Sequence, residues 1–97
     1  MRFTWDERKN AANVRKHGIS FADAWKVFAG PMIVDPDDRT EYGEDRWIGI
    51  GRLDNRIVVV VYTEPYENTT RLISVRRALK HEQFAYETAL ANRLGKG

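Results

Sequence analysis

A chain of 97 residues with 42% hydrophobic and 31% charged side chains can build one small core and is too apolar for a disordered segment. It has no cysteine, which excludes disulfide staples and thiolate zinc sites, and no apolar run approaches the ~20 residues of a membrane helix. The net charge of +2 is unevenly spread: Asp35, Asp37, Asp38, Glu41, Glu44 and Asp45 crowd around Arg39, whereas Arg71, Arg76, Arg77, Lys80, Arg93 and Lys96 are set against only Glu82 and Glu87. A basic end apart from an acidic loop suits a protein that meets a polyanion, and equally a solvated surface with chance clustering. With no secretion signal at Met1 to Asp6, a cytoplasmic protein away from membranes is expected.

Phe3 to Trp5 predicts a short edge strand. Asp6 is suited to cap a helix through Lys16, with Gly18 as its left-handed stop. Only Ala11, Ala12 and Val14 offer it apolar contact, so this helix should lie shallowly. Ser20 and Asp23 have capping-box spacing and open a second helix. Its Phe21, Ala24, Trp25 and Phe28 fall at i, i+3, i+4 and i+7, one apolar face, before Gly30-Pro31 stops it. Met32 to Val34 predicts a brief strand ahead of the acidic loop. Arg46 to Leu53 alternates, with Trp47, Gly49, Gly51 and Leu53 on one face. Asp54-Asn55 is a two-residue hairpin signal, and the apolar run Ile57 to Tyr62 predicts a central strand buried on both faces. Glu64 to Thr69, interrupted by Pro65, reads as a loop. Thr70 to Arg76 predicts a strand with Arg71, Ile73 and Val75 on one side and Leu72, Ser74 and Arg76 on the other. From Ala78 to Leu94 the period turns helical, with Leu79, Tyr86, Leu90 and Leu94 on one side. The sum is a single α+β domain over residues 1–97: an antiparallel sheet of about four strands plus a short N-terminal strand, two N-terminal helices and one C-terminal helix.

Chemistry-bearing residues are few. His17 and His81 each sit beside a lysine, Lys16 and Lys80, and could serve metal-free acid–base work or simply face solvent. Asp35-Pro36-Asp37-Asp38 offers hard oxygen ligands, yet a two-metal nuclease draws carboxylates from several elements, and this run reads as an exposed loop. Arg46, Arg71, Arg76 and Arg77 lie at predicted strand ends, where guanidinium groups can stabilise a phosphoryl transition state or pair with Glu44, Glu82 or Glu87. Arg52 and Arg56 read as ordinary surface residues. Glu82 is either a base or an ion-pair partner; Tyr86 reads first as a core residue, and Trp5, Trp25 and Trp47 as core or interface residues rather than base-stacking platforms.

Three blocks carry a resemblance. Phe3-Thr4-Trp5-Asp6-Glu7 with Lys9-Asn10, Asn13 and Lys16-His17-Gly18-Ile19-Ser20-Phe21 resembles the opening signature of the BrnT toxin family. Glu44-Asp45-Arg46-Trp47-Ile48-Gly49-Ile50-Gly51 resembles its middle, and Arg71-Leu72-Ile73-Ser74-Val75-Arg76-Arg77-Ala78 with Glu82 and Tyr86-Glu87 its end. The resemblance spans residues 3 to 87. It departs at Val75, where alanine is usual, and at Glu64 to Thr70, which looks longer and less basic.

The resemblance implies a RelE-like fold and a metal-independent ribonuclease of a type II toxin–antitoxin system that arrests translation, with no cofactor. It implies a cognate antitoxin, BrnA-like and DNA-binding, so that DNA is met only through that partner while RNA is the substrate. By position it points to Arg46, Arg76, His81, Glu82 and Tyr86 as catalytic, and to Lys16, His17, Arg71, Arg77 and Lys80 as RNA contacts. The competing expectation is a catalytically inert toxin-like module that still binds an antitoxin or RNA.

Overall fold

A computed structural model describes residues 1–95. The strands are β1 (Arg2–Thr4), β2 (Met32–Pro36), β3 (Trp47–Leu53), β4 (Arg56–Tyr66) and β5 (Thr69–Arg77); the α-helices are α1 (Glu7–His17), α2 (Phe21–Ala24) and α3 (Lys80–Gly95). One sheet holds all five strands in the order β1-β5-β4-β3-β2. Neighbours run antiparallel except β1, which lies parallel to β5 in register Arg2↔Thr69 to Thr4↔Arg71. The sheet is therefore mixed, and the N-terminal strand is part of it. A parallel neighbour needs a long crossover, and everything from α1 to β4 supplies one.

β4 is the middle of the sheet and buries both faces. Val58, Val60 and Tyr62 pack with Ile19, Phe21, Ala24, Val27, Leu53, Leu72 and Val75 beneath the N-terminal helical segment. Ile57 and Val59 point the other way, to Ala78, Tyr86, Leu90 and the isoleucines Ile33, Ile48 and Ile50. α3 thus covers the opposite face, and it covers only part of it. Of its four expected inward residues, Tyr86 is buried and Leu90 packs at the edge, whereas Leu79 and Leu94 are 56% and 78% exposed. The helix crosses the β2–β3 side of the sheet, so its two ends overhang solvent.

The second helix also differs from expectation. A single α turn, capped by Ser20 accepting from the Ala22 N–H, tightens into a 3₁₀ helix at Trp25–Ala29. At three residues per turn, Phe21, Ala24 and Val27 align and are fully buried, while Trp25 rotates out to 41% exposure. Gly51 lets this segment sit close: a Cβ there would lie 2.6 Å from Val27 Cγ2.

α1 begins and ends as its caps dictate. Asp6 accepts from the Arg8 and Lys9 N–H groups, and Gly18 takes φ 71°. Its faces are reversed, however: Ala11, Ala12 and Val14 are exposed, and the inward positions are Asn10, Asn13 and His17. β1 pairs with β5 only as far as Arg71, so beyond it the β5 edge has backbone groups with no strand beside them. Asn13 fills that need. Its Nδ2 donates to the carbonyls of Val75 and Ile19, each at 2.9 Å, and its Oδ1 accepts from the Val75 N–H at 3.1 Å. Asn10 accepts from the Phe21 N–H at 2.8 Å, tying α1 to α2.

The predicted loop from Glu64 to Thr69 is mostly strand. β4 continues to Tyr66, and only Glu67-Asn68 turns, with Asn68 at φ 58°. Pro65 is accommodated because the register shifts between Thr63 and Tyr66. A second shift pairs Val61 with Ser74 but Tyr62 with Leu72, leaving Ile73 unpaired. This bulge breaks the expected alternation and turns both Leu72 and Val75 into the same core.

Candidate functional site

Where α3 leaves the sheet uncovered, a cleft of about 280 Å³ opens, lined by Arg39, Ile48, Val59, Val61, Ser74, Arg76 and Glu82. Arg76 is the penultimate residue of β5, and Glu82 stands in the first turn of α3. The two form a bidentate pair, Nη1 to Oε1 at 2.8 Å and Nη2 to Oε2 at 2.9 Å. Glu82 Oε1 also accepts from the Leu79 N–H at 2.8 Å, the backward half of a capping box. The Arg76 hydrogen bonds, aided by the Leu79 N–H and opposed by burial, pull the Glu82 carboxyl from 4.5 to about 2. It is therefore ionised near neutrality and a poor proton acceptor. Glu82 in turn raises the Arg76 pKa.

Arg39 reaches the same cleft from the acidic loop and is held by Asp37, Nε to Oδ1 at 2.7 Å and Nη2 to Oδ2 at 2.9 Å. The Asp37 side chain is fully buried beneath a largely exposed Arg39, whose guanidinium keeps its carboxyl below the ordinary aspartate value. Among the described residues, no three His, Cys, Asp or Glu groups converge as metal ligands would.

Arg46 and Arg71 lie elsewhere. Both bind Glu44, Arg46 at 3.2 Å and Arg71 at 2.9 Å, and Arg46 stacks on Tyr42 at 4.0 Å from the ring centre. Arg71 is five residues before Arg76 on β5, roughly 16 Å at ~3.3 Å per residue. The expected gathering of Arg46 with Arg76 thus does not occur. Tyr86 is buried under α3, and its hydroxyl donates to the Pro31 carbonyl at 2.9 Å, pinning the helix to the start of β2. His81 and Lys80 are exposed at the start of α3 beside Glu82. Lys16 is exposed at the end of α1, and His17 is half-buried on its inner side.

Arg77 points to a feature the sequence did not reveal. It lines a second cleft, on the far side of the first α3 turn, with Arg52 and Arg56. Nothing in the local pattern around Arg52 or Arg56 marks them out; only the pairing of the strand ends brings them together.

Fold and site define a small α+β protein with guanidinium-lined clefts at the start of its last helix. A family model for the ribonuclease toxin BrnT of type II toxin–antitoxin systems matches residues 5–82. The chain belongs to that family, and membership implies a cognate antitoxin. Among solved structures, it is similar to the Brucella abortus ribonuclease toxin BrnT, at 32% identity and a TM-score of 0.68 over 82% of this chain and 99% of that one. No curated protein matches at a significant level.

Proposed function

We propose that this chain is a metal-independent endoribonuclease of the cytoplasm that cleaves RNA at the Arg76 cleft, arrests translation, and is silenced by an antitoxin competing for that cleft. One observation carries the reading. Glu82 occupies the end-on fork of Arg76, and the second Nη1 hydrogen goes to the Arg77 carbonyl at 3.2 Å. Among the described residues nothing accepts from Nε, so the side-on fork of Nε and Nη2 remains for a phosphate. In the reaction, the RNA 2′-oxygen forms a bond to phosphorus as the bond to the 5′-oxygen breaks. His81 takes the 2′-hydroxyl proton, water protonates the departing 5′-oxygen, and Arg76 holds the charge that builds on the phosphoryl oxygens. Glu82, ionised, orients Arg76 and takes no proton. DNA enters only through the antitoxin.

A second reading, an inert module that binds an antitoxin or RNA, is favoured by a different observation. Arg39, Arg46, Arg71 and Arg76 all carry a carboxylate partner already. Purified chain incubated with RNA separates the two: degradation that disappears in Arg76→Ala supports the nuclease, and intact RNA bound by a folded chain supports the module.

A further inference from the structure

The second cleft, about 240 Å³, is lined by Arg52, Asn55, Arg56, Ile57, Arg77, Gln83 and Glu87. Its three arginines come from three strand ends. Arg52 is the penultimate residue of β3, Arg56 opens β4 directly across the Asp54-Asn55 turn, and Arg77 closes β5 opposite Val58. Among the described residues, none of the three has a carboxylate within 4 Å, in contrast to the four paired arginines above. Glu87 lines the same cleft but makes no ion pair with any of the three, so the repulsion among the guanidinium groups is only partly offset. An anion relieves the repulsion, and guanidinium forks match phosphate oxygens.

The cleft is continuous in the chain with the first one. Arg76 and Glu82 line one, and the next residues, Arg77 and Gln83, line the other. The β5–α3 connection therefore runs between the two, and Lys80 and His81 are exposed just after it, in the first turn of α3. We propose that the Arg52–Arg56–Arg77 cleft is a phosphate subsite that holds a backbone phosphodiester of the RNA strand next to the one cleaved. The lining is polar apart from Ile57 and offers no aromatic platform for a base, so the subsite reads charge and not sequence. This assignment rests on the RNA reading above.

Two measurements on the full chain test it. Pyrophosphate is titrated while the arginine Nε–H resonances are followed, and single-stranded RNA affinity is measured against salt. Pyrophosphate should shift Arg52, Arg56 and Arg77, and the Arg52→Ala/Arg56→Ala double variant should lose the Arg77 shift. One lost phosphate contact on single-stranded RNA should flatten the log–log salt slope by about 0.7, whereas Arg8→Ala, exposed on α1, should leave it unchanged. Should the double variant fail to fold, Arg52→Gln alone carries the same comparison. An unchanged slope, or no pyrophosphate shift at these arginines, overturns the subsite. A double variant that loses affinity for an acidic antitoxin peptide but not for RNA overturns RNA as the occupant. If pyrophosphate shifts the three arginines while RNA does not bind at all, the subsite stands as an oxyanion site and the nuclease reading falls.

Discussion

Replacing Glu82 with alanine removes three hydrogen bonds at once: two from the Arg76 guanidinium and one from the Leu79 N–H. Losing the helix-capping bond costs about 1 kcal/mol. The ion pair adds about 1 kcal/mol and no more, because the Arg76 side chain is 38% exposed and solvent screens it. A domain of this size loses roughly 4–8 °C of melting temperature per kcal/mol, so Glu82→Ala should melt roughly 8–16 °C lower. Arg76→Ala leaves the cap in place and should lose only roughly 4–8 °C by the same scale. Cleavage should follow the opposite order. At a temperature well below both transitions, Arg76→Ala should lose on the order of 100- to 1,000-fold in rate, as removal of one preorganised charge donor does. Glu82→Ala keeps the guanidinium and loses only its orientation, so it should retain more. Melting by circular dichroism and cleavage of end-labelled RNA measure both quantities. An Arg76→Ala protein that melts as low as Glu82→Ala removes the cap from the reasoning, and a folded one that cleaves at the parent rate removes the guanidinium.

Acid should destabilise the protein through the same carboxylate. Because folding depresses the Glu82 pKa from 4.5 to about 2, its contribution is present above 4.5 and is lost as pH falls through that window. The ceiling is about 3 kcal/mol, reduced by screening to about 1–2, and urea titrations should show a flatter acid limb in Glu82→Gln. Asn13→Leu should cost about 3 kcal/mol, since it orphans the Val75 N–H and the Val75 and Ile19 carbonyls inside the fold. A loss below about 1 kcal/mol in chemical denaturation would show that solvent replaces those bonds. Gly51→Ala brings a methyl to 2.6 Å from Val27 Cγ2 and should cost about 1–3 kcal/mol, read as a lower melting temperature with cleavage chemistry intact. RNA cleavage should persist in excess EDTA; loss restored by magnesium or manganese would refute the arginine-based mechanism.

Short-range signals were the ones the sequence stated openly. Asp6, Ser20 and Gly18 cap where their side chains and φ preferences require, and Ile57 to Tyr62 is the central strand its unbroken apolar run predicts. The Arg76–Glu82 pair, six residues apart, was also visible as one of two options. What stayed hidden depends on partners far away in the chain. Glu44 is among the carboxylates the sequence offers these arginines, but which of them it takes depends on a contact across 27 residues to Arg71, and β1 finds β5 only after the whole meander is laid down. The inward face of α1 is polar because of a strand edge it cannot know about locally, so an apolar-periodicity reading selects the wrong side. The bulge at Ile73 and the 3₁₀ turn at Trp25 shift periodicity by a residue, and neither has a distinctive composition. Arg52 and Arg56 gain interest only once the β3–β4 turn sets them beside Arg77.

The way α1 is attached also bears on how it can detach. Most surface helices are glued down by apolar area, so lifting them exposes surface that denaturants solvate and heat capacity registers. α1 is moored by the Asn10 and Asn13 amides instead, with Val14 43% exposed. Lifting it would uncover few apolar atoms and mainly trade protein hydrogen bonds for water. Native-state hydrogen exchange should therefore find the α1 amides and the Val75 N–H opening together, in a fluctuation nearly insensitive to low denaturant. The neighbouring β4 amides, by contrast, should exchange only through the steeply denaturant-dependent global event. The first helix would then behave as a latch with its own timescale on an otherwise cooperative sheet.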